Sequence, residues 1–245
     1  MKIESIADLT SFVKQKTIET NRRWWFRGHA NSSWKLIPSL WREYSKEQES
    51  YMTHEFLFKA RTRVNNYPPN DDKSLWLSLM QHHGLPTRLL DWSKSPLIAL
   101  YFATELGQRH KLREPEDACI WFLCPGEINK YFNYEDLIYP LNGGKPKMLV
   151  EQAFYHNDIE NKGVIAASSI EANGRMLMQQ SAFTIHSEQR PLEDIVETDK
   201  WLFKLEIPKK RIFEIAMELE IIGLTLANIY PDLDNLSLEI KFQNK

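Results

Sequence analysis

Three short stretches of the chain concentrate residue types that do chemistry. The first is Trp25-Phe26-Arg27-Gly28-His29. A guanidinium set between apolar aromatics and a glycine is expected to be partly buried, and a buried charge needs a partner. That partner is either an internal carboxylate or a bound anion such as a phosphate, which arginine meets with two parallel donors. Gly28 beside it lets backbone or ligand approach closely. The second stretch runs from Gln81, His82 and His83 through Gly84, Pro86, Thr87, Arg88 and Asp91 to Trp92 and Ser93. Polar, titratable and aromatic groups gather there beside a glycine and a proline that fix the path of the chain. His82 or His83 has the chemistry of a general base near neutral pH. Adjacent histidines point to different sides of a helix and no third ligand stands at metal spacing nearby, so no metal site is expected. Asp91 reads either as a helix cap or as the internal partner of Arg27 or Arg88. The third stretch is Asn173-Gly174-Arg175-Met176-Leu177-Met178-Gln179-Gln180-Ser181-Ala182-Phe183. Read as a strand, its alternation sends Arg175, Leu177, Gln179 and Ser181 to one face and Gln180 to the other, among Met and Ala, where its amide must find a hydrogen-bond partner.

The elements that must carry these stretches follow from periodicity and breakers. Helical spacing marks residues 5–20 and 46–66, the latter stopped by Tyr67-Pro68-Pro69. Leu75 to His83 is helical and closed by Gly84, and Leu85 to Trp92 is extended. Ser93 caps the next helix, with Pro96 in its first turn. Trp24 to Gly28 and residues 118–124 read as strands, Trp34 to Leu40 as an extended edge segment, and 126–147 as irregular with a turn at Asn142-Gly143-Gly144. In the last third, 164–169, 176–178, 182–185, 201–207 and 211–215 read as strands. A late helix over 214–219, or one continuing from Pro208, and a closing helix capped by Asp232 or Asp234 complete the pattern. Helices dominate to about residue 110 and strands from about 115, which predicts one α+β domain over 1–245, its helices packed on a mostly antiparallel sheet.

Bulk properties narrow the function classes. The net charge is -2, so no global field draws the protein to nucleic acid or anionic lipid. The 8 Trp supply large side chains for a core or a cleft. The two cysteines, Cys119 and Cys124, face opposite sides of a strand and are expected to be buried reduced thiols. No signal peptide opens the chain and no apolar run nears the roughly 20 residues a membrane span needs, so a soluble, cytoplasmic protein is expected. A phosphate loop, a Rossmann fingerprint, a nucleophile elbow and a zinc-protease motif are all missing from the sequence.

Phe26-Arg27-Gly28, the Gln81 to Ser93 segment with Pro96, Ala99, Leu100, Phe102 and Ala103 after it, Arg175 to Phe183, and Tyr230-Pro231-Asp232-Leu233-Asp234 together resemble the FRG domain, over residues 20–240 or so. The family is named for its Phe-Arg-Gly and is found mostly in bacteria and phages; the name assigns no biochemistry. The order of a strand ending in aromatic-Arg-Gly, a strand-to-helix junction with serine, and a late strand with an acidic or amide residue is also similar to the Arg-Ser-Glu layout of ADP-ribosyltransferases. That likeness implies that Arg27 holds the phosphates and ribose of NAD, that Ser93 orients the nicotinamide side, and that Gln180 or Gln179 stands where the glutamate belongs. A glutamine supplies no negative charge to an oxocarbenium-like transition state, a loss of roughly a hundred- to a thousandfold in rate. Asp91 and Glu171 are the candidates to supply it instead.

The expected site therefore has Arg27, His82, His83, Asp91, Ser93 and Gln180 as reacting groups. Phe26, Gly28, Gln81, Thr87, Arg88, Trp92, Arg175, Gln179 and Phe183 are expected to bind the substrate. Two other functions compete with ADP-ribosyl transfer: a binding module without catalysis, for a nucleotide, nucleic acid or partner protein, and a nucleotide or nucleic-acid hydrolase using His82 or His83 as base. The bacterial and phage distribution of the family makes a toxin or antiphage-defence role the expectation in each case.

Overall fold

The structure is a computed structural model that describes residues 2–63, 67–109, 116–155, 163–170 and 174–244, the side chains of 106–109 excepted. In chain order the elements are α1 (Ile6–Thr20), β1 (Trp25–His29), α2 (Leu40–Glu43), α3 (Lys46–Ala60), α4 (Lys73–His82), β2 (Leu89–Ser93), α5 (Pro96–Arg109), β3 (Ala118–Leu123), α6 (Pro125–Tyr131), α7 (Gly144–Tyr155), β4 (Val164–Ser168), α8 (Gly174–Met178), β5 (Ser181–His186), β6 (Leu202–Ile207), α9 (Ile212–Ile221), α10 (Leu226–Ile229) and α11 (Leu233–Gln243). Local chemistry sets many of the boundaries. Ser5 caps α1 by accepting from Asp8 N, and Ser45 and Gln48 form a reciprocal capping box at α3. Asp72 and Asp232 cap α4 and α11 in the same way. Gly84, at φ 78, leads the chain out of α4 in a left-handed conformation that other residues rarely adopt.

Among the described residues six strands form one sheet in the order β4-β5-β2-β1-β3-β6, and each strand pairs antiparallel with its neighbours. Two apolar clusters hold helices against it. Phe26, Phe122 and Phe203 are neighbours across β1, β3 and β6, with Phe26 edge-on to Phe122 at 5.0 Å and Phe122 stacked on Phe203 at 4.6 Å. Phe12 of α1 meets the last two edge-on, and α5 and α9 close the same cluster with residues such as Ala99, Ala103, Ile212 and Ile215. Across the other half of the sheet, Leu89, Phe183, Ile185 and Ile165 pack against Trp76, Leu77 and Met80 of α4 and Leu149, Val150 and Phe154 of α7. Cys119 and Cys124 are buried and unbonded to each other. Burial pushes the Cys119 pKa up to about 12, so its thiol stays protonated.

Gly28 marks where α5 lies closest to the sheet. A Cβ placed there would stand 1.9 Å from the Ala99 carbonyl oxygen and 2.6 Å from the Ala103 nitrogen, both main-chain atoms that cannot swing aside. Gly28→Ala is therefore expected to lower unfolding free energy by about 1–3 kcal/mol, read as a reduced urea midpoint, because α5 must lift off β1. The close approach that this glycine permits is that of a helix.

Several segments fold differently from their sequence pattern. Residues 126–147 are not irregular throughout: Pro125 presets the first turn of α6, and Gly144, at φ 53, opens α7. Residues 176–178 are part of a one-and-a-half-turn helix, α8, with Met176 buried and Leu177 and Met178 exposed. Residues 211–215 enter α9, whose buried Ile212, Ile215, Ala216 and Leu219 recur at helical spacing; the helix follows directly on a 3-10 turn that starts after Pro208. Residues 34–40 join no ladder; Leu36 instead exchanges bonds with the Glu193 carboxylate and the Leu192 nitrogen. Helices and strands also mix along the chain, since β1 and β2 precede residue 110 and, among the described residues, six α-helices follow it. The part of the 46–66 pattern at residues 64–66 lies outside the described residues.

Candidate functional site

β1 pairs along its whole length with β3, and β2 along its whole length with β5, but β1 and β2 meet in a single register pair, Phe26 with Ser93. Beyond that pair the sheet splits. A cavity of about 390 Å³ occupies the split. Its floor follows from strand alternation: Asp91 and Ser93 share a face with Phe183 and Ser181, their register partners on β5, and through Ser93 with Phe26 and Gly28 of β1. All six line the cavity. One flank is α5, which contributes Ala99, Phe102 and Glu105 at three-residue intervals along one helix face. The other is α4, with Ser78, Gln81 and His82, and α8 closes one end with Arg175, Met176 and, just after it, Gln179.

Arg27 stands at the seam. Its Nη1 donates to the Asp91 main-chain oxygen at 2.6 Å, so a side chain joins the two strands where their ladder has ended. Its Nε donates to His29 Nε2 at 3.1 Å. Burial lowers the His29 pKa to about 3, with the Arg27 charge adding to the effect. The ring is thus neutral at physiological pH, and since Nε2 accepts, its proton resides on Nδ1. Burial likewise draws the Arg27 pKa below its ordinary value, with Asp91 opposing and Arg42 reinforcing the shift; the guanidinium nonetheless remains a cation. Among the described residues Arg27 has no ion-pair partner. Only two of its five N–H groups are engaged, which leaves three for a ligand.

The side chain of Asp91 is held separately. Gln81 Nε2 donates to its Oδ2 at 2.5 Å, and Thr87 Oγ1 donates to Gln81 Oε1 at 2.6 Å. Thr87 is buried and lies behind the wall, so its place is under the site and not in it. His82 is half-buried and faces the cavity, and burial, then the charge of Arg175, lower its pKa. Arg175 lies 4.7 Å from the ring of Tyr230, whose hydroxyl donates to Glu105 at 3.2 Å. Trp92 lines the cavity while its Nε1 donates to Thr184 Oγ1 at 3.0 Å. An anion fits the free donors of Arg27, a hydroxyl fits Asp91, and a planar ring fits the aromatic walls, which include Trp34, Phe102 and Phe183.

Other residues singled out by the sequence go elsewhere. Arg88 is sealed in the core, 1% exposed, with Glu49 as its bidentate partner through Nε and Nη2, the former at 2.8 Å. Neither arginine pairs with the Asp91 carboxylate. His83 is exposed and off the cavity, edge-on to His82. Ser93 reaches the wall, but its hydroxyl donates to the Gln179 carbonyl at 2.8 Å and accepts from Ser95 N at 3.0 Å. It ties the end of β2 to the α8–β5 turn, and Ser95 is the residue that immediately precedes α5. Gln180 is exposed, adopts a left-handed conformation at φ 47, and does not line the cavity. Gln179 lines it, while donating to the Ile229 carbonyl at 3.2 Å. Asn173 and Glu171 lie outside the described residues.

The sequence pattern does not mark Ala30, Trp34, Ser78, Ala99, Phe102, Glu105, Met176 or Ser181 as site residues, although all eight line the cavity. Glu105 carried a readable signal, being three residues beyond Phe102 on the face that begins at Ala99. Trp34, 47% exposed in a segment without regular structure, carried none beyond its size.

No curated protein and no solved structure matches the chain significantly. Residues 22–112 match the family model of the FRG domain, a stretch that spans β1, α4, β2 and α5 and so supplies most of the cavity wall, with α8 and β5 beyond it. Over that stretch, less than half of the chain, the sequence is similar to the FRG domain, and Arg27 at the split in the sheet belongs to the Phe26-Arg27-Gly28 triplet within it.

Proposed function

We propose that the cavity binds a ribonucleoside phosphate of the NAD kind and acts on its glycosidic bond, as an ADP-ribosyltransferase-like site. The observation that carries this reading is Arg27: a cation with three unengaged donors and no carboxylate partner among the described residues, facing an aromatic-walled hollow. A half-buried guanidinium without an ion-pair partner among the described residues is a receptor for an anion, and phosphate matches its planar donors. The volume of 390 Å³ lies low in the usual range of roughly 300–1,000 Å³ for small-molecule sites, which suits one nucleotide of a dinucleotide with the remainder outside.

Glycosidic cleavage needs negative charge beside the sugar as positive charge develops there. Gln180 lies outside the cavity and supplies none, so that role falls to Asp91. Ser93, spent on main-chain partners, shapes the wall and does not hold nicotinamide. Consumption of NAD would give such a protein the means to act as a bacterial or phage toxin or defence effector.

The test is direct. NAD is titrated calorimetrically into the wild type and Arg27→Ala, and nicotinamide release is followed by chromatography. The wild type is expected to bind NAD, with Arg27→Ala about 10- to 100-fold weaker, the usual worth of charge-assisted hydrogen bonds. Asp91→Asn is expected to bind but to release no nicotinamide. Wild-type protein that neither binds nor cleaves NAD at millimolar concentration ends this reading.

A second reading rests on His82, which faces the cavity and is kept neutral by burial and Arg175, as a general base for hydrolysis must be. In that case phosphate-ester or glycosidic hydrolysis shows an acidic limb that His82→Gln removes and His83→Gln, off the cavity, leaves in place.

A further inference from the structure

We infer that Thr87 and Gln81 form a positioning relay that holds one carboxylate oxygen of Asp91 ready for a sugar hydroxyl, so that the site selects ribose over deoxyribose. The inference rests on the nucleotide reading of the cavity and names what within it sets specificity.

The direction of each hydrogen bond is fixed from below. Thr87 is 1% exposed, and its Oγ1 accepts from Leu89 N at 3.1 Å. Its own proton is then free to go to Gln81 Oε1, 2.6 Å away. An amide whose oxygen is taken in this way turns its NH2 to the other side, where Asp91 Oδ2 lies at 2.5 Å. The reversed amide would set its oxygen against a carboxylate, which repels it. Gln81 is itself anchored, because its main-chain oxygen accepts from Gly84 N at 3.1 Å as the chain leaves α4. The relay therefore runs from the main chain of β2 through Thr87 and Gln81 back to the side chain of the same strand.

Asp91 Oδ1 has no hydrogen-bond partner among the described residues. Arg27 takes the Asp91 main-chain oxygen and makes no hydrogen bond to the carboxylate, which it meets only through its charge. One residue thus divides two tasks: its carbonyl orients Arg27, and its carboxylate presents an oriented acceptor to the cavity. A ligand that answers both carries a phosphate for Arg27 and a hydroxyl donor within a few bonds of it. A ribonucleotide has that pairing, and a 2′-deoxyribonucleotide has one donor fewer. A preorganised acceptor discriminates strongly here, because a missing ligand hydroxyl leaves a charged oxygen unpaired.

The experiment measures Kd for NAD and for two NAD analogues, each lacking the 2′-hydroxyl of one ribose, on wild type, Gln81→Leu, Thr87→Val and Thr87→Ser, with thermal melts as a check of folding. The wild type is expected to bind one of the analogues about tenfold or more weakly than NAD. Gln81→Leu and Thr87→Val should bring that ratio towards one while the affinity for the weaker analogue stays within about twofold of wild type, and Thr87→Ser, which keeps the hydroxyl, should restore it. A purely structural role would lower all three affinities together and leave the ratio untouched. If wild type binds NAD without discriminating, or if the ratio survives both Gln81→Leu and Thr87→Val, the relay is overturned while the nucleotide reading stands. If nothing binds, the nucleotide reading falls and the relay with it.

Discussion

Glu49→Ala should destabilise the fold by about 3–5 kcal/mol, seen as a large fall in the urea midpoint of unfolding. Glu49 on α3 and Arg88, immediately before β2, are each 1% exposed, and their pairing is bidentate. Arg88 Nη1 also donates to the Leu149 carbonyl at 3.2 Å and to Gln152 Oε1 at 3.0 Å on α7, and the guanidinium lies 5.7 Å from the Trp41 ring. One side chain thus joins α2, α3 and α7 to the strand that carries Asp91. Taking away the carboxylate strands a cation in a medium that solvates it poorly, and this penalty, more than the lost attraction, sets the size of the effect. Glu49→Leu combined with Arg88→Met removes both charges at similar volume and should recover most of the loss. A double variant as unstable as Glu49→Ala would show that packing around the pair, and not charge, dominates.

Acid should weaken the protein well above the range in which carboxylates titrate. His29 and His186 are 3% and 0% exposed, and burial lowers both pKa values from 6.5 to about 3, helped by Arg27 at both and by Arg88 at His186. A folded-state pKa below the unfolded one means that the unfolded chain binds protons the native state refuses. Each histidine therefore leaves stability untouched above about pH 6.5 and subtracts from it as pH falls towards 3. At pH 5 the loss is about 2 kcal/mol for each, or about 4 kcal/mol together. Urea unfolding between pH 7 and pH 4 should show this slope, approaching two protons taken up on unfolding, and His186→Gln should remove about half of it. A flat profile over that interval would contradict the burial of these rings. Both rings lie close to the site: His29 accepts from Arg27, and His186 Nε2 meets Thr184 Oγ1, which also takes the Trp92 indole.

Sequence pattern revealed the ladders more readily than the partners. The aromatic run at β1, the apolar run at β3 and the Leu-Phe-Lys-Leu-Glu-Ile alternation at β6 mark strands because sheet burial imposes a period of two over several residues. Arg27 was legible as the arginine of interest from its aromatic and glycine neighbours. What distinguishes it from Arg88 was not, since both precede or follow apolar residues and both could claim Asp91. The deciding residue is Glu49, 39 positions before Arg88, on a helix whose pattern gives no sign that this carboxylate is buried. Gln180 leaves the site for a local reason. Alternation over 175–181 fits a strand on paper, but the five residues Gly174–Met178 coil, and the left-handed turn at Gln180 directs its neighbour Gln179 to the cavity instead. The sequence marks Gly28 as a point of close approach, and the tertiary structure shows that α5 is what approaches.

The proposed function stands on Arg27 being a cation without an ion-pair partner among the described residues and open to an anionic ligand. Calorimetric titration of NAD into wild-type protein and into Arg27→Met, at low and at moderate salt, tests it most directly. Saturable binding by the wild type that weakens as salt rises is expected, and binding at least about tenfold weaker, with little salt dependence, for a variant that still melts cooperatively. Equal affinity in the two proteins, or no heat from either, would contradict it.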